Sequence, residues 1–238
     1  DHFTLGGVTR LTQLQSLFVE GPSKNTIAGI EQLSTITALE NLGIDKNYRI
    51  FPSVDEDQFN LNFLSGFTRL KHLHIAGGEF DLSPISKIPT LTSLSISCFS
   101  DLGAAFKGME AYNQLKSLKL DIGRMKGSGK ELAEALNQIK SLTNLDLEGG
   151  SGNSEEEQHF YKNFTLSLQS LRITFHSSTK DTKPKIMAFG EFLSKQKNLQ
   201  KFIGDILHTR TETNGVIKKA LAEMNKLEDR KSVVRERV

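Results

Sequence analysis

The chain has 238 residues, of which 37% are hydrophobic and 24% charged, with a formal net charge of +2. That apolar content excludes a disordered chain, and the bulk charge gives no sign of the concentrated basic stripe of a nucleic-acid binder. Cys98 is the one cysteine, so an internal disulfide is excluded and a reducing, cytoplasmic compartment is expected. No run approaches the roughly 18 apolar residues of a membrane span, and the start does not read as a signal peptide. Fifteen Phe and no Trp point to an interior filled by leucine and phenylalanine.

From the start onward one phrase recurs, L-x-x-L-x-L. "LQSLFV" aligns Leu14, Leu17 and Val19; "LENLGI" aligns Leu39, Leu42 and Ile44; "LKHLHI" aligns Leu70, Leu73 and Ile75; "LTSLSI" aligns Leu91, Leu94 and Ile96. "LKSLKL" follows with Leu115, Leu118 and Leu120, "LTNLDL" with Leu142, Leu145 and Leu147, and "LQSLRI" with Leu168, Leu171 and Ile173. "LQKFIG" is a weak eighth copy at Leu199, Phe202 and Gly204. The middle positions recur every 21–31 residues, about 26 on average, near the period of a leucine-rich repeat. In most copies a further apolar residue precedes by three: Ile36, Phe67, Ile88, Tyr112 and Ile139. The gap of three predicts the end of a helix or turn, and the gap of two predicts a strand. In "SLTNLDLEGG" (141–150) the three leucines then point inward, Asn144, Asp146 and Glu148 point outward, and Gly149 and Gly150 let the chain turn away.

Between the phrases the sequence predicts short helices and two longer insertions, at 45–66 and 174–195. Ser83 followed by Pro84 fits a helix start. Ser128 and Glu131 fit a capping box, ahead of an apolar stripe at Leu132, Ala133, Leu136 and Ile139. Ser154 and Glu157 repeat that logic. A polar loop, "SSTKDTKPK", precedes a helix expected from about Pro184 to Lys195. Near the end Val216, Ile217, Ala220, Leu221, Met224 and Leu227 form another helical stripe.

Over roughly residues 3–207 these motifs resemble the leucine-rich-repeat family. "GSGKELAEALNQIKSLTNLDL" (127–147) resembles the long, helix-bearing repeat of the ribonuclease-inhibitor-like class. The resemblance implies an α/β fold: a right-handed solenoid with parallel strands on its concave face and helices and loops on its convex face. It implies about eight repeats over 1–212, and a C-terminal capping helix or degenerate ninth repeat over 213–238. The family places Asn three residues after the last strand aliphatic. Here those positions are Pro22, Asn47, Gly78, Phe99, Gly123, Gly150, His176 and Leu207. Only Asn47 conforms, so an irregular solenoid is expected.

The search for chemistry returns no catalytic constellation. "GSGK" (127–130) looks like the end of a P-loop, but Arg124 stands where the first glycine is required and Glu131 where Ser or Thr should hold the metal. His72 and His74 would lie side by side on the outer face, with no third or fourth ligand evident from the neighbouring strands. Cys98 reads as a structural thiol, and no G-x-S-x-G elbow is present. Glu155, Glu156 and Glu157 suit a helix N-terminus. Lys218, Lys219, Lys226, Arg230, Lys231, Arg235 and Arg237 gather near the end, but Glu223, Glu228, Asp229 and Glu236 interleave them, as on a solvated helix face.

The expected role is a non-catalytic protein-interaction module, a scaffold or assembly subunit acting through its concave sheet. The partner is another protein, as within a large assembly, and not a membrane or nucleic acid. No cofactor or metal is expected. The residues expected to meet the partner are Phe18, His72, His74, Lys119, Asp121, Asn144, Asp146, Glu148 and Arg172. The alternative, by analogy with the class alone, is a regulator of another enzyme in the manner of a ribonuclease inhibitor or a GTPase-activating protein.

Overall fold

A computed structural model describes residues 5–21, 30–46, 61–77, 80–97, 101–106, 113–124, 127–149, 154–176, 182–207 and 231–237. The chain divides into two compact units, Asp1–Ser100 and Asp101–Val238. In each, every described phrase supplies one strand, and successive strands pair in parallel. This is the strand arrangement that a leucine-rich-repeat solenoid builds.

In the first unit β1 (Ser16–Gly21), β2 (Asn41–Lys46), β3 (His72–Ala76) and β4 (Ser93–Ser97) lie in sequence order. The register aligns Leu17, Leu42, Leu73 and Leu94 in one row and Val19, Ile44, Ile75 and Ile96 in the next. Leu42, Ile44, Leu73, Ile75, Leu94 and Ile96 are all buried, each contributing about 2 kcal/mol by leaving water. Short 3₁₀ segments lead into the strands: Leu5–Arg10, Ile30–Thr35, Asn62–Gly66 and Ser83–Lys87.

The gap of three in the phrase is the period of this 3₁₀ path. Ile36 N–H donates to Leu33 O at 2.9 Å and Leu39 N–H to Ile36 O at 3.1 Å. Ile85, Ile88 and Leu91 continue the same i→i−3 chain from Leu82. Three residues per turn stack these side chains on one face, and Leu33, Ile36 and Leu39 are all fully buried. One carbonyl then seats each new strand. Gln15 O accepts from both Glu40 and Asn41, Glu40 O from Lys71 and His72, and Lys71 O from Thr92 and Ser93. The helical start expected at Ser83 and Pro84 forms as a 3₁₀ segment, with Ser83 its first residue and Asp81 Oδ1 accepting the Ser83 N–H at 2.9 Å.

Beside these corners Glu40 accepts from Arg69 at 2.8 Å and from Lys71 at 2.9 Å. The Lys71 bond first, and the Arg69 bond second, hold the Glu40 carboxyl below its ordinary range. Its contribution to stability is therefore complete above the unfolded-state pKa and is lost as pH falls through the lower folded-state value. An NMR titration should place the Glu40 midpoint below that of a model peptide, and the R69A/K71A double variant should return it to the ordinary value. An unshifted midpoint in the wild-type chain would refute the assignment.

The second unit runs β5 (Ser117–Asp121), β6 (Asn144–Glu148), β7 (Ser170–His176), β8 (Lys201–Leu207) and β9 (Lys231–Arg237), again in sequence order. Helix α1 (Leu102–Phe106) precedes β5, and the crossovers that follow carry α2 (Gly129–Leu136), α3 (Ser154–Asn163) and α4 (Thr182–Lys195). The expected Ser128 cap forms, its Oγ accepting from Glu131 N–H at 3.3 Å. Leu132, Ala133, Leu136 and Ile139 are buried as expected. Phe160 and Tyr161 of α3, Phe164 just past its end, and Phe189 and Phe192 of α4 form a continuous aromatic core with centroids 5.2–6.0 Å apart.

Among the described residues, other polar side chains link the repeats. Asn137 Oδ1 accepts from Thr165 and Leu166 N–H, and its Nδ2 donates to Asn163 O. Gln196 is buried and accepts from Leu168 N–H at 3.0 Å. Thr90 Oγ1 donates to Leu70 O and Ser141 Oγ to Leu115 O, equivalent positions of two different phrases. Asn47, Tyr112, the insertion's residues 47–60, and the helical stripe from Val216 to Leu227 lie outside the described residues, as does position 212.

Candidate functional site

Burial alternates along β4 and β6, as the pleat requires, and the same register places the outward positions of their neighbours. On the first unit the outward rows run Ser16–Asn41–His72–Ser93, Phe18–Gly43–His74–Ser95 and Glu20–Asp45–Ala76–Ser97. The middle row is the distinctive one. Phe18 is 58% exposed, an unusual position for a large aromatic ring. It lies over Gly43, where a Cβ would overlap Phe18 Cδ2 and stand 2.7 Å from Cε2. Beyond the glycine its ring meets His74, the two rings near parallel at 18° with centroids 6.1 Å apart. His74 Nδ1 is in turn 2.9 Å from Ser95 Oγ. Below this row Asn41 Nδ2 donates to Ser16 Oγ at 2.9 Å. The row is thus assembled across four strands.

The Ser95–His74 pair has the composition of a nucleophile and its base. Both residues lie within strands, whose N–H groups run in the plane of the sheet. They cannot converge on a carbonyl held above the face, as an oxyanion hole requires. Among the described residues no group of three or more His, Cys, Asp or Glu is placed to hold a metal. His72 is exposed on the same face, and Cys98 lies outside the described residues.

On the second unit the outward row Lys119–Asp146–Arg172 alternates in sign between register neighbours. Lys119 Nζ also lies 3.8 Å from Glu148 Oε2, with both side chains about half exposed. Such pairs add little stability, but they bring charge of each sign close to its complement on the same face. Asn144 is exposed one row away. Asp121 departs from the outward role expected for it. It is 7% exposed, and its Oδ1 accepts Gly123 N–H at 3.2 Å. The carboxylate turns the chain into the 3₁₀ segment Ile122–Arg124.

The expected residues therefore separate into two groups, one on each unit. Phe18, His72 and His74 share the first face; Lys119, Asn144, Asp146, Glu148 and Arg172 share the second. Gly43, Glu20 and Asp45 are additions to the expected set. Their signal is the cross-strand register, which sets a glycine beside the one outward phenylalanine and two carboxylates side by side.

A scan against protein-family models finds no match, and a search of curated proteins finds none. Among solved structures the chain is similar to the plant peptide hormone receptor RGFR1 in complex with RGF2, at 11% identity and a TM-score of 0.33. The match covers 96% of this chain and 45% of that one. A likeness at that score supports no conclusion about function, and the fold described above rests on strand order and register. Among the described residues no helix is long and apolar enough to cross a membrane.

Proposed function

We propose that the chain is a non-catalytic protein-interaction module, a right-handed leucine-rich-repeat solenoid whose partner docks on the concave sheet face. The role is that of a scaffold or assembly subunit in a reducing, cytoplasmic setting. The observation that supports this reading is the exposed Phe18 ring, set over Gly43 and against His74. Buried aromatic anchors dominate binding energy at protein interfaces, and a ring already fixed by its neighbours loses little entropy on docking.

Two variants test it. Phe18→Ala should weaken partner binding by about 2 kcal/mol, roughly thirtyfold in Kd. Stability should change by no more than about 0.5 kcal/mol, because the side chain is largely solvated. Gly43→Ala should weaken binding as well, because the new methyl displaces the Phe18 ring. That ring is largely solvated, so displacing it should cost the fold little. The measurement is retention of a stoichiometric protein from native extract, followed by titration of that protein once identified. Equal retention by the wild-type chain and both variants would sink the reading.

A further inference from the structure

The first repeat follows the same corner path as its successors. Leu11 N–H donates to Val8 O and Leu14 N–H to Leu11 O, both at 2.9 Å, as Ile36 does to Leu33 and Ile88 to Ile85. Val8, Leu11, Leu14 and Leu17 therefore stand where Leu33, Ile36, Leu39 and Leu42 stand in the second repeat. Those four are at most 2% exposed, and so are Leu64, Phe67, Leu70 and Leu73 in the third. In the first repeat Leu11 is 54% exposed, and Val8, Leu14 and Leu17 are half-buried. The apolar rows thus end uncovered at β1.

The backbone is open on the same side. The later corners seat their strands by donating two N–H groups to one carbonyl of the preceding repeat: Glu40 and Asn41 to Gln15 O, Lys71 and His72 to Glu40 O. Gln15 and Ser16 hold the equivalent position, and among the described residues β1 pairs with β2 alone. What fits this end is set by the interfaces already formed. There a strand runs parallel and sets aliphatic beside aliphatic, Leu17 to Leu42 and Val19 to Ile44. The complement of the open end is therefore a parallel strand about 4.8 Å away, with aliphatics at the L-x-x-L-x-L spacing. An exposed sheet edge binds such a strand through its main chain, and the side-chain rows give the choice. A second copy paired about a two-fold axis does not fit. Its β1 would run antiparallel, carrying its corner past Gly21 and leaving Leu11 and Leu14 uncovered. Phe18 lies on the adjoining face of the same strand, so a partner docked there lies beside the open edge.

We propose that the open end of the first repeat takes a leucine-rich segment of that partner, added parallel to β1 as one more repeat. This rests on the interaction-module reading and gives the partner a chemistry.

The test titrates the isotope-labelled full chain with a synthetic peptide copying residues 83–97, "SPISKIPTLTSLSIS", which holds one corner and one strand. The controls are the same peptide in reversed order and one carrying Leu91→Asn and Leu94→Asn. The peptide should give saturable amide shifts at Val8, Leu11, Leu14 and Leu17. Hydrogen exchange at Gln15 and Ser16 should slow at least tenfold, because strand addition gives both amides a carbonyl. Both control peptides should bind at least tenfold more weakly. Leu11→Ser should weaken binding at least fivefold with circular dichroism unchanged; the exchange is read on the wild-type chain and does not depend on this variant. The proposal is overturned if the peptide leaves these signals unmoved, or if they move without slowed exchange at Gln15 and Ser16, which is apolar contact without a strand. It is overturned as well if the reversed peptide matches, if Leu11→Ser binds as the wild type does, or if the same signals shift with chain concentration alone, which assigns the end to a second copy. The two readings fail separately. A native partner lost with Phe18→Ala while no peptide binds at the end removes the leucine-rich segment and leaves the interaction module standing. A partner indifferent to Phe18→Ala and Gly43→Ala removes the module reading itself.

Discussion

Lys185→Met should destabilise the chain by about 3–5 kcal/mol, one of the largest losses a single substitution can cause here. Lys185 Nζ lies 2.5 Å from Glu157 Oε2, and the two side chains are 4% and 0% exposed. The pair joins α4 to α3 behind the sheet. Methionine fills much of the same volume but leaves the Glu157 carboxylate buried without its cation. Tyr161, one turn along α3, is fully buried, and burial first and the Glu157 charge second hold its hydroxyl pKa well above the usual value. Gly149 is also close, and a Cβ there would stand 3.1 Å from Glu157 Oε2. The positive-φ glycines among the described residues are Gly77 and Gly127, and Gly149 instead admits the carboxylate. The double variant Glu157→Leu, Lys185→Met removes both charges together and should return to within about 1 kcal/mol of the wild type, since buried ion pairs are often replaceable by apolar pairs. Urea titration of the three chains decides the matter. A Lys185→Met midpoint equal to the wild type would show that the pair contributes nothing.

What could be read from the sequence was whatever repeats. Leu17, Leu42, Leu73, Leu94, Leu118, Leu145, Leu171 and Phe202 each fall inside a strand at the expected place, because a period of two must alternate burial and a period near 26 must stack the strands. Even the weak eighth copy has a physical basis. The Phe202 ring lies 3.0 Å from where a Gly204 Cβ would be, so it occupies space the absent aliphatic would have filled. The connectors were legible by length. Only residues 77–92 separate β3 from β4, which leaves room for a short 3₁₀ segment, whereas the repeats after β5 hold helices of 8 to 14 residues. The α4 helix begins at Thr182, two residues before the expected start. The pairings that occur once were not legible. Glu157 with Lys185 and Asn137 with the 163–166 segment each join residues more than 25 apart without any local pattern. The acidic run at 155–157 shows the difference. Read locally it is a favourable helix start, yet its members act separately. Glu155 is exposed near His159, Glu156 bonds α2, and Glu157 is buried against Lys185.

Gly129→Ala should cost about 3 kcal/mol, at the upper end for an overpacked site, although alanine is ordinarily the better helix former. Gly129 opens α2 and is buried against α3. A Cβ there would overlap the Glu156 carbonyl oxygen and stand 2.7 Å from its carbon and 3.1 Å from Phe160 N. All three atoms are backbone, so no side chain can swing aside and the two helices must separate. The same residue decides what "GSGK" is for. Its N–H donates to Glu156 Oε2 at 2.6 Å, so the positive end of α2 already holds an anion, supplied by the next helix. A phosphate at this helix end would compete for the same place. Gly127 serves the approach. Its φ is +85°, a conformation suited to glycine, and a Cβ would press on the Asp101 carboxylate. Glu156→Gln keeps an acceptor but removes the charge, so it should cost far less than Gly129→Ala, about 1 kcal/mol. Thermal or urea unfolding of the two variants gives the comparison. A Gly129→Ala chain as stable as the wild type would mean that α2 and α3 do not approach as closely as their backbones are placed.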